Sequence, residues 1–237
     1  MTKTKENAVR IQTSILNAAE KKALIWLAER QPKWVNSDMM TCLGTIGAIV
    51  IALGYALVPE NPAYLWLSSL GFVINWYGDS LDGTLARVRK CQRPLYGYYL
   101  DHTMDAVNEL IIFVGLGLSG LMDFSLALLI LVVYLMLTIN VSINAHLKQE
   151  FRLTYLKLGP TEFRILAIVL NTLLALLPSL REYTLQVTFS GHQMTLGTLD
   201  IGGCVVLIAL ALIYLISVIT DARGYARIDP PKKSNDN

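Results

Sequence analysis

Two stretches of this sequence place acids where the surrounding residues are apolar. The first, GDSLDGTLARVRK, runs from Gly78 to Lys90 and closes a long hydrophobic run; the second, GYYLDHTMD, runs from Gly97 to Asp105. If the first stays helical to Arg87, with each residue advancing about 100°, then Asp79, Asp82, Gly83, Ala86 and Arg87 share an arc of about 140°. A second helix starting at Gly97 puts Asp101, Asp105 and Asn108 on one face, within an arc of about 80°. A loop of about nine residues between them makes the two helices antiparallel neighbours that can face each other.

Four carboxylates gathered at the edge of a low-dielectric region repel one another, and each also carries a burial cost. Something positive must compensate. Arg87 supplies one charge, and a dense set of hard oxygen ligands without a second set of His or Cys suits Mg²⁺, Mn²⁺ or Ca²⁺ better than zinc. His102 points about 100° away from Asp101 and reads as a packing or supporting residue. Gly83, Ala86 and Gly97 leave the acidic face low, which serves either close helix packing or the approach of a flat ligand.

The elements that must position these groups are membrane spans. The chain has 237 residues, 54% of them hydrophobic, and a mean hydropathy of +0.47. Its apolar residues fall into blocks of about twenty, the length that crosses a hydrocarbon core. The expected fold class is an all-α membrane protein with six transmembrane helices and an N-terminal interfacial amphipathic helix. The spans are Met40–Val58, Ala63–Asp79, Tyr98–Leu118, Leu126–Ile143, Phe163–Leu180 and Ile201–Thr220. Residues 1–39 then form the interfacial segment, 40–221 the catalytic bundle, and 222–237 a tail.

With six spans, every Lys and Arg except Arg181 lies on one side of the membrane. By the positive-inside rule both termini and the acidic motif face the cytoplasm, at the inner membrane if the cell is bacterial. The first forty residues are charged throughout and lack a compact apolar core with a cleavage site, so no cleavable signal peptide is expected. Cys42, Cys91 and Cys204 have neither metal-ligand nor disulfide spacing and read as packing residues.

Glu6 to Arg30 reads as a helix lying along the interface, with Val9, Ile11, Ile15, Leu16, Ala19, Ala23 and Trp26 on its apolar stripe. Asn36 or Ser37 can cap the first span. Alternation of Leu185, Val187 and Phe189 with polar residues, around Ser190 and Gly191, predicts an outer β-hairpin. From Asp229 the tail reads as disordered.

The motif DSLDGTLAR followed by GYYLDHTMD resembles the signature of the CDP-alcohol phosphotransferase family, D-x2-D-G-x2-A-R, a linker, then G-x3-D-x3-D. Asp79, Asp82, Gly83, Ala86, Arg87, Gly97, Asp101 and Asp105 fill every fixed position, with a linker one residue longer than usual. The resemblance implies transfer of a substituted phosphoryl group from a CDP-linked donor to an alcohol, with release of CMP. It implies that Asp79, Asp82, Asp101 and Asp105 hold two divalent ions, Mg²⁺ or Mn²⁺, and that Asp105 is the general base. It implies that Gly83 and Ala86 admit the cytidine moiety beside Arg87, and that the chain forms a homodimer.

NSDMMTCLGT resembles the family's entry into its first span and makes Asn36, Asp38 and Thr41 candidates for donor binding. GPTEFR places Glu162 and Arg164 at the start of the fifth span, level with the motif, as candidates for binding substrate; the helix dipole and snorkelling would also favour them there. Asn108, Glu109, Asn140, Asn144 and His146 read mainly as interhelical hydrogen-bonding groups.

The leading expectation is phosphatidyl transfer from CDP-diacylglycerol to a polar alcohol. The alternative enzyme takes CDP-choline or CDP-ethanolamine and transfers to diacylglycerol. A cation transporter is the alternative of another class, but it needs acids near the midplane on several spans. No nucleic-acid partner is expected.

Overall fold

The structure is a computed structural model and describes residues 9–11, 17–148, 150–152, 159–189 and 192–231. Its elements are β1 (Val9–Ile11), α1 (Asn17–Glu29), α2 (Ser37–Ala56), α3 (Tyr64–Val88), α4 (Pro94–Leu118), α5 (Phe124–Lys148), β2 (Glu150–Arg152), α6 (Pro160–Leu176), α7 (Pro178–Arg181), β3 (Thr184–Phe189), β4 (His192–Gly197) and α8 (Thr198–Ile228). Six long helices therefore stand where the apolar blocks predict them. By length and composition α2, α5 and α8 are apolar enough to cross a membrane. In α3 and α4 the acids and amides of the candidate site dilute the apolar run, and α6 is only 17 residues long.

Several boundaries differ from expectation. The N-terminal helix begins at Asn17, while Val9–Ile11 is extended and pairs in parallel with Glu150–Arg152. Val9 and Ile11 are β-branched, which favours extended backbone. α4 starts at Pro94 rather than Gly97, because proline is well suited to the first helical turn. The linker shrinks accordingly to residues 89–93. α8 runs on to Ile228, giving 31 residues and a length of about 46 Å, more than a hydrocarbon core requires. The hairpin forms as predicted, with Thr184 opposite Gly197 and Phe189 opposite His192. Its turn residues Ser190 and Gly191, the early part of the expected N-terminal helix, Lys157, and the tail from Lys232 lie outside the described residues.

The tightest contact in the bundle is between α2 and α3, and it is made by small residues in register. Gly44, Gly47, Ile51 and Gly54 of α2 meet Ser68, Gly71, Asn75 and Gly78 of α3, a spacing of three and four on both helices. A Cβ built on Gly47 would lie 2.3 Å from the Asn75 backbone nitrogen, and one on Gly78 would lie 2.2 Å from the Gly44 nitrogen. Polar side chains reinforce the contact: Ser68 donates to the Ile51 carbonyl at 3.1 Å, and Asn75 donates to the Gly44 carbonyl at 2.9 Å. Inside a bilayer, close van der Waals approach and interhelical hydrogen bonds of this kind replace the hydrophobic drive that packs soluble helices.

Two apolar clusters flank this contact. At one end Ile51, Tyr55, Leu65 and Phe72 pack with Ala127, Leu174 and Leu199. At the other, Leu24 and Ala28 of α1 pack with Val35, Met40, Leu81 and Leu85. The α1 helix thus covers the end of the bundle where α2 begins and α3 finishes, with Trp26 left largely exposed.

Replacement of Gly47 by Ala should force α2 and α3 apart and destabilise the bundle by about 1–3 kcal/mol. Gly202→Ala, at a position where nothing among the described residues lies within 4 Å of the new methyl, should not destabilise the bundle and can gain up to about 1 kcal/mol from helix propensity. Denaturant unfolding of the detergent-solubilised protein measures both.

Candidate active site

The close approach of α2 and α3 brings the N-terminus of one helix against the C-terminal turns of the other. Asn36 caps α2, its side chain accepting from the Met39 N–H at 2.8 Å. Ser37 then donates to the Asp82 carbonyl at 2.5 Å, and Thr41 donates to the Asp82 carboxylate at 2.8 Å. The other Asp82 oxygen accepts from the Gly83 N–H. Asp38 reaches outward to Arg93 at 3.5 Å, across an exposed surface.

Three of the four motif acids converge. Asp79 on α3 and Asp101 and Asp105 on α4, all half-buried, each offer a carboxylate oxygen within 4.8 Å of the others. Opposite ligands lie about 4.2 Å apart around an ion with oxygen distances of about 2.1 Å, and about 4.8 Å apart around a larger one such as Ca²⁺. Adjacent ligands on such an ion lie about 3 Å apart, so oxygens within 4.8 Å of one another can share one ion after side-chain adjustment. The set is all hard oxygen, and the residues present fit such an ion. Asp82 stands beside this trio, with Asp79 and Asp101 as its electrostatic neighbours, but Thr41 and Gly83 hold its carboxylate.

The positive partner of the trio is Arg164, on the second turn of α6. Its guanidinium donates to Asp79 at 2.6 Å and, through Nε, to the Asn75 side-chain carbonyl at 2.9 Å. A charge-assisted bond of that length is among the stronger polar contacts available to a protein. Both ends of the Asn75 amide are thus engaged, since its nitrogen donates to the Gly44 carbonyl. Glu162 turns back to the Gly159 N–H at 2.9 Å and completes the N-terminal cap of α6.

Arg87, the cation of the motif itself, is exposed, and one of its donors binds Thr84 at 2.8 Å. Among the described residues, a Cβ on Gly83 would meet only the Arg87 guanidinium at 3.5 Å, and one on Gly97 would meet nothing within 4 Å. Helix packing therefore does not explain these two glycines, in contrast to Gly44, Gly47 and Gly78. Ala86 is half-buried, and its carbonyl accepts from the Cys91 N–H at 3.0 Å.

Residues of secondary interest divide as their chemistry suggests. His102 stacks on Tyr98 with ring centroids 4.1 Å apart, and its Nδ1 lies 3.1 Å from the Tyr98 carbonyl. Asn140 and Asn144 donate to Asp221 at 3.4 and 2.8 Å, and Tyr225 donates to Asn144 at 2.7 Å, tying α5 to α8. Glu109 comes one turn beyond Asp105, and its Oε2 is buried without a partner among the described residues.

Asn75 is a site residue that the motif does not mark. Its signal was present in the sequence: it lies four residues before Asp79, hence on the same helical face, as an amide inside an apolar run. Glu20, which joins α1 to α3 and α6, has no such signal.

Comparison with known proteins agrees with this geometry. Over 84 residues the chain is 34% identical to the phosphatidylinositol phosphate synthase of Cutibacterium acnes (strain DSM 16379 / KPA171202). That match covers 35% of this chain and 38% of the relative. The family model described as CDP-alcohol phosphatidyltransferase matches residues 34–216, a stretch that contains α2 to α7, the hairpin, most of α8 and all of the acidic cluster. This chain belongs to the CDP-alcohol phosphatidyltransferase family.

Proposed function

We propose that this protein is a membrane enzyme of phospholipid synthesis that transfers a phosphatidyl group from CDP-diacylglycerol to a polar alcohol and releases CMP. The observation that carries the reading is the convergence of Asp79 on α3 with Asp101 and Asp105 on α4. Family membership and the partial likeness to a phosphatidylinositol phosphate synthase support it, and among polar alcohols they favour an inositol phosphate. Glycerol phosphate and serine are the other acceptors of the same chemical type.

In this reading α2, α3, α4, α5, α6 and α8 are the six spans, and the acidic end of the bundle faces the cytoplasm, where nearly all the Lys and Arg lie. Asp79, Asp82, Asp101 and Asp105 hold Mg²⁺ or Mn²⁺, with two ions as the family resemblance implies. When bound, the divalent ions neutralise the pyrophosphate and ease departure of CMP. Asp82 must then turn away from Thr41, which costs one hydrogen bond. Two such subunits form the homodimer that the resemblance implies.

The chain's own residues perform the remaining work. Gly83 and Ala86 leave room for the cytidine, while Arg87 stands over that space and offers its charge to the donor phosphates. Asn36, Asp38 and Thr41 border the same surface from α2. Arg164 offsets the acids and is placed to attract the anionic acceptor. Asp105 takes the proton from the acceptor hydroxyl as its oxygen forms the new bond to phosphorus. The bond from that phosphorus to the CMP oxygen breaks, and its electron pair leaves on CMP. A carboxylate positioned for this proton transfer contributes about 10²–10⁴-fold in rate.

Purified protein given Mn²⁺, radiolabelled CDP-diacylglycerol and a panel of alcohols should release CMP and form a labelled lipid with at least one polar acceptor. Release only with CDP-choline or CDP-ethanolamine and diacylglycerol would reverse the donor assignment, and no release with either panel would refute transfer. Asp105→Asn should lower turnover by about 10²-fold or more while donor binding, measured by equilibrium dialysis, changes little. Equal loss of donor binding would leave Asp105 a ligand only and remove its role as the base.

A further inference from the structure

Glu20 lies on α1, yet one of its carboxylate oxygens joins α3, which carries Asp79, to α6, which carries the counter-charge Arg164. Oε1 accepts from the Trp76 indole on α3 at 3.0 Å and from the Thr161 hydroxyl on α6 at 2.5 Å. Both donors adjoin the contacts that end on Asp79. Trp76 follows Asn75, and Thr161 precedes Arg164 by three residues, so Thr161 and Arg164 sit on neighbouring turns of one helical face. Arg164 in turn binds Asn75 at 2.9 Å and Asp79 at 2.6 Å.

Docking of α1 does not depend on this acid. Leu24 and Ala28 are buried in the cluster with Leu81 and Leu85, and they seat α1 against α3 through apolar contact. The local cap of α6, Glu162 to the Gly159 N–H, acts within that helix and does not fix it to a neighbour. Glu20 therefore does something neither of these does: it ties the first turn of α6 to α3 through a third element. A half-buried carboxylate with two uncharged donors on one oxygen is held for that geometry rather than for solvation.

We infer that Glu20 is a positioning residue that keeps α6 registered on α3 so that Arg164 stays on Asp79. The catalytic consequence rests on the transferase reading given above; the tie itself does not. Its importance follows from how steeply charge compensation falls with distance. Retreat of the guanidinium from about 4 to about 6 Å loses about a third of its attraction for the cluster, and lateral misplacement removes its hydrogen bonds altogether.

The test combines hydrogen exchange, read by mass spectrometry on the detergent-solubilised full chain, with CMP release. In Glu20→Ala and Thr161→Val, amide exchange across residues 159–164 should accelerate, and kcat should fall about tenfold with the donor KM nearly unchanged. Glu20→Gln keeps an acceptor oxygen for both donors and should restore slow exchange and most of the rate. The double variant Glu20→Ala/Thr161→Val should be no worse than Glu20→Ala, because both changes break one tie. Thr161→Val leaves the packing of α1 intact, so it decides the matter even if Glu20→Ala does not fold. Unchanged exchange in Thr161→Val, additive losses in the double variant, or a Glu20→Gln as impaired as Glu20→Ala would each overturn the inference. So would faster exchange with full turnover. If the wild type releases no CMP, the transferase reading falls alone, and the exchange measurements still decide the tie.

Discussion

Three carboxylates within 4.8 Å of one another, half-withdrawn from water at the end of a helical bundle, are a standing electrostatic liability. Most of the polar structure around them answers that liability. Arg164 is brought from a different helix to meet Asp79, Asn75 orients its guanidinium, and Thr41 and the Gly83 N–H hold the fourth acid aside. Such an arrangement is costly unless it serves a positive ligand. One neighbouring guanidinium cannot balance three acids, and a hard divalent ion is the kind of ligand that would supply the rest of the charge.

The acids can be so placed only because α2 and α3 touch backbone to backbone. Gly47 and Gly78 remove the atoms that would hold the two helices apart, and Asn75 uses the resulting proximity to reach the Gly44 carbonyl. The same amide then presents its oxygen to Arg164. Packing and electrostatics are thus linked through one residue: separation of α2 from α3 would free Asn75 and, through it, the counter-charge of the site. Glycines elsewhere on the acidic face have the opposite role. A methyl at Gly83 or Gly97 would meet no neighbouring helix among the described residues, which suits the role proposed for them of admitting a ligand.

Much of this was legible in the sequence because it is periodic. Helical advance of about 100° per residue placed Asp79 and Asp82 on one face and Asp101 and Asp105 on another, and apolar blocks of about twenty residues located all six long helices. The hairpin was legible for the same reason, through its alternation of side chains. Harder to read were contacts whose partners are far apart in the chain. Nothing local says that Arg164 rather than Arg87 will meet Asp79, since that depends on how α6 leans on α3. Glu20 is one charge among many in an amphipathic segment, and its two donors lie 56 and 141 residues away. α4 starts three residues before the motif glycine because Pro94 is the stronger helix-start signal.

The central claim is that these acids form a divalent-cation site, and direct binding tests it without reference to any substrate. Mn²⁺ titrated into the purified protein and followed by electron paramagnetic resonance should lose its free-ion signal to a saturable site. In Asp101→Asn that binding should weaken by about tenfold or more, since one ligand and one charge are gone. A wild type that leaves the Mn²⁺ signal free, or an Asp101→Asn variant that binds as tightly as wild type, would contradict the account.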